Sequence, residues 1–134
     1  MIKTLELPDI SFYIRKGGAW RRQHISDFFP PHKHVLLVTL KGAWMNDREV
    51  QFYERERLGF EGTVVATVND SFVQNAWAND LNLNYVRLLP DGNGELARAL
   101  NLLVSYPEAG PRAYRSEWEV YNNHLMYRQK SSCP

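Results

Sequence analysis

The single thiol of this 134-residue chain, Cys133, stands in the penultimate position, within Ser131-Ser132-Cys133-Pro134. A thiol attacks as its thiolate, and no other side chain type here is as nucleophilic near neutral pH without a partner. One cysteine closes no internal disulfide and supplies no four-cysteine zinc site. Its solitude fits a reducing compartment. Pro31-His32-Lys33-His34 places two imidazoles at i and i+2, a spacing that suits a metal on a strand. No second pair of cysteines or histidines lies close by, so a solvated loop is expected and no metal. Asp91-Gly92-Asn93-Gly94-Glu95 has the look of a calcium loop but lacks spaced carboxylates and a distal glutamate, and reads as a turn. Gly17-Gly18 and Gly92 to Gly94 are not followed by the Gly-Lys-Ser/Thr of a phosphate loop. Residue types alone leave a Ser/His/Asp arrangement open, but no Gly-x-Ser-x-Gly elbow marks a hydrolase. No cofactor is expected.

Charge narrows the partners. Lys plus Arg number 16 and Asp plus Glu 15, a formal net charge of +1. That balance supplies no general attraction for nucleic acid or anionic lipid, and neither is expected as a partner. The cluster of Lys16 with Arg21 and Arg22 is short and reads as a solvated face. With 44% hydrophobic and 23% charged residues the composition is that of a globular protein, and the length fits one domain over residues 1–134. Aromatics at 13%, including Trp20, Trp44, Trp77 and Trp118, suffice for a well-filled core. No apolar run approaches the roughly 20 residues that span a bilayer. Lys3 and Glu6 fall where a signal peptide would be apolar, so a cytoplasmic protein is expected, with residues 129–134 a flexible tail.

The elements that must position these residues follow from periodicity. Val35-Leu36-Leu37-Val38-Thr39-Leu40 is a continuous apolar run, the mark of a strand buried on both faces. Thr63-Val64-Val65-Ala66-Thr67-Val68 is a second. Between them Asp47 to Leu58 has helical composition, which predicts parallel strands joined by a right-handed crossover. Asn69-Asp70-Ser71 offers capping oxygens, and Phe72, Val73, Ala76 and Trp77 follow at helical spacing, predicting a helix from Ser71 to Asp80. Val86 to Leu89 reads as a third strand, closed by the Pro90 to Gly94 turn. Glu95 to Leu103 has a helical pattern. Tyr114 to Tyr121 alternates like a strand, and Asn122-Asn123 turns into a last one, Leu125 to Arg128. Ile10 to Ile14 and a piece around Trp20 predict a hairpin about Gly17-Gly18. The sum is an α/β protein, a three-layer sandwich with a mixed central sheet.

These residues also resemble a known family. Val68-Asn69-Asp70-Ser71-Phe72-Val73-Gln74-Asn75-Ala76-Trp77 is similar to the Val-Asn-Asp-x-Phe-Val-x-x-Ala-Trp stretch of peroxiredoxins, in their plant type II and peroxiredoxin–glutaredoxin hybrid group. Pro90-Asp91-Gly92-Asn93-Gly94-Glu95 resembles that group's Asp-Gly-Asn-Gly-Glu turn, and Gly110-Pro111-Arg112-Ala113-Tyr114-Arg115 its Arg-x-Trp-Arg segment. Ile10-Ser11-Phe12, Trp20, Asp27-Phe28-Phe29 and the Val35 to Leu40 strand fall in the family's order, so the resemblance spans roughly residues 7 to 128. It implies a thioredoxin-like fold.

The departure falls where the family does its chemistry. There it writes Pro-Gly-Ala-Phe-Thr-Pro-x-Cys; this chain writes Lys41-Gly42-Ala43-Trp44-Met45-Asn46-Asp47-Arg48. Gly42 and Ala43 are kept, Trp44 replaces the phenylalanine, Met45 the threonine, and Arg48 the peroxidatic cysteine. The span onward to Asn69 is shorter than the family's by about two helical turns. Peroxide reduction needs a thiolate of lowered pKa near a helix N-terminus and an arginine, with donors aimed at the peroxide oxygens. Arg115 matches the family's arginine, but its thiol partner is absent. It is expected to pair with a carboxylate, with residual anion binding as the alternative. In the relatives a further segment and a final helix follow the last strand, so part of one sheet face is expected to want a cover.

The expectation is a degenerate member without catalytic residues, serving as a binding or structural subunit that meets a protein partner or its own copies. Peroxiredoxins of this group often pair through the active-site edge, which here carries Gly42, Ala43 and Trp44. The alternative is a weak thiol-dependent peroxidase or oxidoreductase working through Cys133 docked near Arg115. An anion-binding module built on Arg115 ranks third.

Overall fold

Every residue from Val35 to Thr39 is buried, and neighbours along it enter different clusters. Leu36 and Val38 pack toward two helices; Val35 and Leu37 pack toward the opposite layer. In the computed structural model, which describes residues 4–128, this strand is β4 (Val35–Thr39). Before it come β1 (Thr4–Glu6), β2 (Ser11–Lys16) and β3 (Ala19–His24). After it follow α1 (Asp47–Arg55), β5 (Gly62–Thr67), α2 (Ser71–Leu81), β6 (Arg87–Pro90) and α3 (Glu95–Ala99). The chain continues through β7 (Leu103–Tyr106), β8 (Gly110–Ala113), β9 (Ser116–Tyr121) and β10 (His124–Arg128).

Six strands form one mixed sheet in the order β1-β10-β9-β4-β5-β6. β4, β5 and β6 run parallel, with Leu37 opposite Val64 and Val65 opposite Leu88, while β9 lies antiparallel to β4 with Trp118 opposite Leu37. On one face Val50 and Tyr53 of α1 and Trp77 of α2 close over Leu36, Val38 and Val65. On the other, Phe12, Ile25, Phe28, Phe29, Leu96 and Leu100 close over Val35, Leu37, Val64 and Trp118. This is the three-layer α/β arrangement with a mixed sheet, although short elements and loops build the second outer layer. At the β1 end of the sheet, Tyr121 and Met126 remain about half exposed. No helix among the described residues is long and apolar enough to cross a membrane.

Local chemistry explains most boundaries. The Asp70 carboxylate accepts the Val73 amide, capping α2, and Asn82 ends that helix in the left-handed region. Asn122 and Asn123, at φ 50° and 62°, supply the two positive φ values of a tight hairpin turn between β9 and β10. Gly17 and Gly18, at 59° and 77°, do the same between β2 and β3. Three expectations need correction. The helix begun at Asp47 stops at Arg55, because Glu56 is extended and Leu58 and Gly59 take positive φ. The helix begun at Glu95 stops at Ala99, because Asn101 turns left-handed at φ 59° and the chain re-emerges as β7, paired with β8. The strand expected from Tyr114 begins at Ser116, since Tyr114 and Arg115 belong to the connection that leads into it.

Candidate functional site

In an open sheet with parallel strands, the crevice beyond their carboxyl ends is where groups from separate loops converge. Here that crevice is bounded by the loop after β4, the start of α1, Asn69 before α2 and the segment between β8 and β9. The loop is fastened from three sides. The Ala43 amide donates to Asn69 Oδ1 at 2.9 Å, and the Met45 amide to the Gly42 carbonyl at 3.3 Å. Trp44 sits at φ 60°, a conformation costly for a bulky residue, and its indole N–H donates to Asp80 at 2.8 Å. Gly42 is buried with no room for a side chain: an added Cβ would stand 3.1 Å from the Met45 sulfur and 3.4 Å from Arg112 Nε. Trp44 and Met45 are about half exposed, and Tyr114 more than half.

α1 then decides what faces the crevice. Asp47 accepts the Trp77 indole N–H at 2.8 Å, locking the first turn to α2. Arg48 is exposed, while Glu49, Val50 and Tyr53 turn inward at helical spacing. Position 48, where the resemblance led to the expectation of a peroxidatic cysteine, therefore points to water. Glu49 meets Arg115 instead.

Arg115 is held in a cage. Its Nε donates to Glu49 Oε2 at 2.6 Å, and its Nη2 to Glu117 Oε2 at 2.6 Å and to the Tyr53 hydroxyl oxygen at 2.9 Å. The Tyr53 hydroxyl lies 3.2 Å from Glu49 and 3.1 Å from Glu117, and donates its one proton to these carboxylates. Arg128 adds a second cation, 3.3 Å from the other Glu117 oxygen. Two carboxylates thus face two guanidinium groups around one phenol. Burial pushes the Tyr53 phenol far above its ordinary value, the Glu117 charge pushes it further, and Arg115 opposes, so the ring stays protonated. Burial acts to lower Arg115, but its bonds to Glu49 and Glu117 outweigh that and fix it as a cation.

Gly42, Ala43, Trp44, Met45 and Arg115 thus converge on one end of the sheet, whereas Arg48 turns away from it. Cys133 lies outside the described residues. Sequence reading missed Glu49, Tyr53, Glu117 and Arg128. The i, i+4 pair Glu49 and Tyr53 was a usable signal, and so was Glu117, a charge inside an otherwise buried strand. His34 stacks on Tyr121 with centroids 4.0 Å apart, and its amide donates to Glu61. Among the described residues no three His, Cys, Asp or Glu side chains gather to hold a metal. Asp91 spends both carboxylate oxygens on the Leu96 and Ala97 amides of α3.

Peroxiredoxin y4vD of Sinorhizobium fredii is 36% identical to this chain over 99 residues, which are 68% of the chain and 52% of that protein. The chain belongs to the peroxiredoxin family. Hybrid peroxiredoxin hyPrx5 of Haemophilus influenzae is 29% identical over 127 residues, 87% of this chain and 52% of the relative. The chain spans about half the length of these curated relatives. No family model matches it. Among solved structures, reduced Prx3 of Vibrio vulnificus in complex with hydrogen peroxide superposes with a TM-score of 0.77. It shares 20% identity and aligns over 96% of this chain and 87% of its own. That likeness confirms the thioredoxin-like peroxiredoxin fold. Within the family scaffold, the chain exposes Arg48 on the first turn of α1 and sets an internal carboxylate against Arg115.

Proposed function

We propose that this peroxiredoxin-family chain is catalytically inactive and acts as a binding or structural subunit of a larger assembly in the cytoplasm. The observation that carries the reading is the Arg115 cage. The family's reaction needs an arginine whose donors hold a thiolate and a peroxide. Here two donors are spent on Glu49 and Glu117, and the first turn of α1 offers Arg48 to solvent. A guanidinium cannot displace one oxygen of an O–O bond. The contact surface on this reading is the edge that bears Gly42, Ala43 and Trp44, where Trp44, Met45 and Tyr114 leave large apolar groups in water. The partner is a second copy or another protein.

Peroxide consumption by the reduced protein tests the first half, with Cys133→Ser as control and intact mass measured afterwards. Turnover no faster than that of a free thiol is the expected result. Rapid turnover lost in Cys133→Ser would establish the competing reading, a thiol peroxidase using Cys133, and sink this one. For the second half, sedimentation velocity of the wild type and Trp44→Ala should show an assembly that the substitution weakens at least tenfold. A strictly monomeric wild type would leave self-assembly without support and restrict the partner to another protein.

A further inference from the structure

Between Ser11 and His24 stand Arg15, Lys16, Arg21 and Arg22, and no carboxylate. These are four of the 16 Lys and Arg in the chain, so the rest holds 12 against 15 Asp and Glu and is net acidic. The near-neutral total conceals a cationic β2–β3 ribbon on an acidic body.

The register sorts the ribbon's side chains by face. Tyr13 pairs with Arg22 and Arg15 with Trp20, so these four share one side. Phe72, in the first turn of α2, extends that side: its ring meets Trp20 edge-on with centroids 5.2 Å apart. The Arg15 guanidinium lies over both rings, at 5.5 and 5.8 Å. Tyr13 is 62% exposed, Trp20 49% and Phe72 57%, and Arg22 is exposed beside them, whereas Lys16 and Arg21 pair with Ala19 and Ile14 on the other side. Rings and cations therefore alternate in water at the two-residue spacing of a strand, about 6.8 Å. Beside them a cleft of about 200 Å³ opens between the ribbon and the turn at 90–95, with Tyr13 and Trp20 on one side and Asp70, Asn93 and Glu95 on the other. Carboxylates set beside aromatic rings accept hydrogen bonds from base amino groups.

We propose that this face of the β2–β3 ribbon binds single-stranded nucleic acid, with Arg15 and Arg22 on phosphates and unpaired bases stacked on Tyr13 and Trp20. Stacking needs bases freed from a duplex, which is why the single strand is favoured. The acidic remainder of the chain repels a polyanion and confines contact to the ribbon. About two phosphates are neutralised, and log K falls against log salt with a slope of about −1.4.

The test is fluorescence anisotropy of short labelled single-stranded RNA and DNA of mixed sequence, titrated with the full chain at low salt. Binding with that slope, with quenching of tryptophan fluorescence, is expected. Arg15→Glu with Arg22→Glu should weaken it at least tenfold, and Trp20→Ala about tenfold, while Trp20→Phe keeps most of it. Lys33→Glu with Arg55→Glu, the same change of charge elsewhere on the surface, should leave it within about threefold. Absence of binding at low salt overturns the proposal. So does equal binding of a matching duplex, or of heparin or polyglutamate with no effect of Trp20→Ala. Those last results would mean an acidic partner read by charge alone.

Discussion

Glu49 accepts the Nε hydrogen bond of Arg115, and its removal has a readable consequence. Glu49→Gln leaves Arg115 with Glu117 and Tyr53 but removes one of its two carboxylate partners. Because a third of the Arg115 side chain is exposed, the loss should be about 1–2 kcal/mol in urea unfolding, below that of a fully buried pair. Tyr53 predicts an alkaline effect. Its folded-state value is raised above the ordinary 10.0, so its contribution is fully present below pH 10 and is lost as pH rises further, where only the unfolded chain releases the proton. Tyr53→Phe should flatten the fall in stability above pH 10 and lower stability at neutral pH by about 1 kcal/mol. An unchanged alkaline slope would show that the remaining tyrosines set it. Arg48→Cys, in a Cys133→Ser background, should consume peroxide no faster than a free thiol, because position 48 faces water and Arg115 is already bound.

Among the elements, α1 does two jobs. One face carries Glu49 and Tyr53 into the cage, and Glu54 clamps the connection between α2 and β6 by accepting the amides of Asn84, Tyr85 and Val86. Burial opposes ionisation of Glu54, but those three donors outweigh it and hold the carboxylate below its ordinary 4.5. The stabilisation is therefore present above about pH 4.5 and is lost as pH falls through the lowered value. Glu54→Gln should abolish that part of the acid transition and destabilise by about 1 kcal/mol at pH 7, measured by thermal and urea unfolding. The β9–β10 turn offers the opposite sign. Asn123 stands at φ 62°, so Asn123→Gly should stabilise by about 0.5 kcal/mol through the turn geometry, provided the hairpin register is kept.

At the scale of the whole molecule, the parallel pair β4–β5 holds the centre, and two surfaces of different character stand beyond the carboxyl ends of the parallel strands. The cage and the edge with Trp44, Met45 and Tyr114 form the one after β4. The β2–β3 ribbon, beside the start of α2, forms the other. They use different side chains, so the Arg15 and Arg22 reversals should leave assembly through the Trp44 edge intact, and Trp44→Ala should leave nucleic-acid binding intact. Sedimentation and anisotropy on the same two variants check both statements. Crossed effects would mean that one surface serves both purposes.

Much of this could be read from the chain alone. The buried strands 35–40 and 62–68 announce themselves because a strand covered on both faces must be apolar at every position. The cap at Asp70, the Asn122-Asn123 turn and the family motif from Val68 to Trp77 are likewise local, set by residues within a turn or two of one another. Arg48, standing where the resemblance led to the expectation of a cysteine, is also visible there, as a residue identity. Helix ends were legible only in part, since Leu58 and Asn101 take left-handed conformations that composition does not announce. Of the cage, only the pairing of Arg115 with some carboxylate was expected; its members were not identified. Glu49, Tyr53, Arg115 and Glu117 come from α1, a connection and β9, with Tyr53 and Arg115 separated by 62 positions in the sequence. Only the pairing of β4 with β9 beneath α1 brings them together, and ion pairs between distant segments leave no periodic trace. The same holds for the ribbon, where strand register turned scattered cations and rings into one face. Tertiary structure decided which charges meet and which are left in water, because Coulomb and stacking energies depend on distance in space, whereas hydrophobic patterning depends on order along the chain.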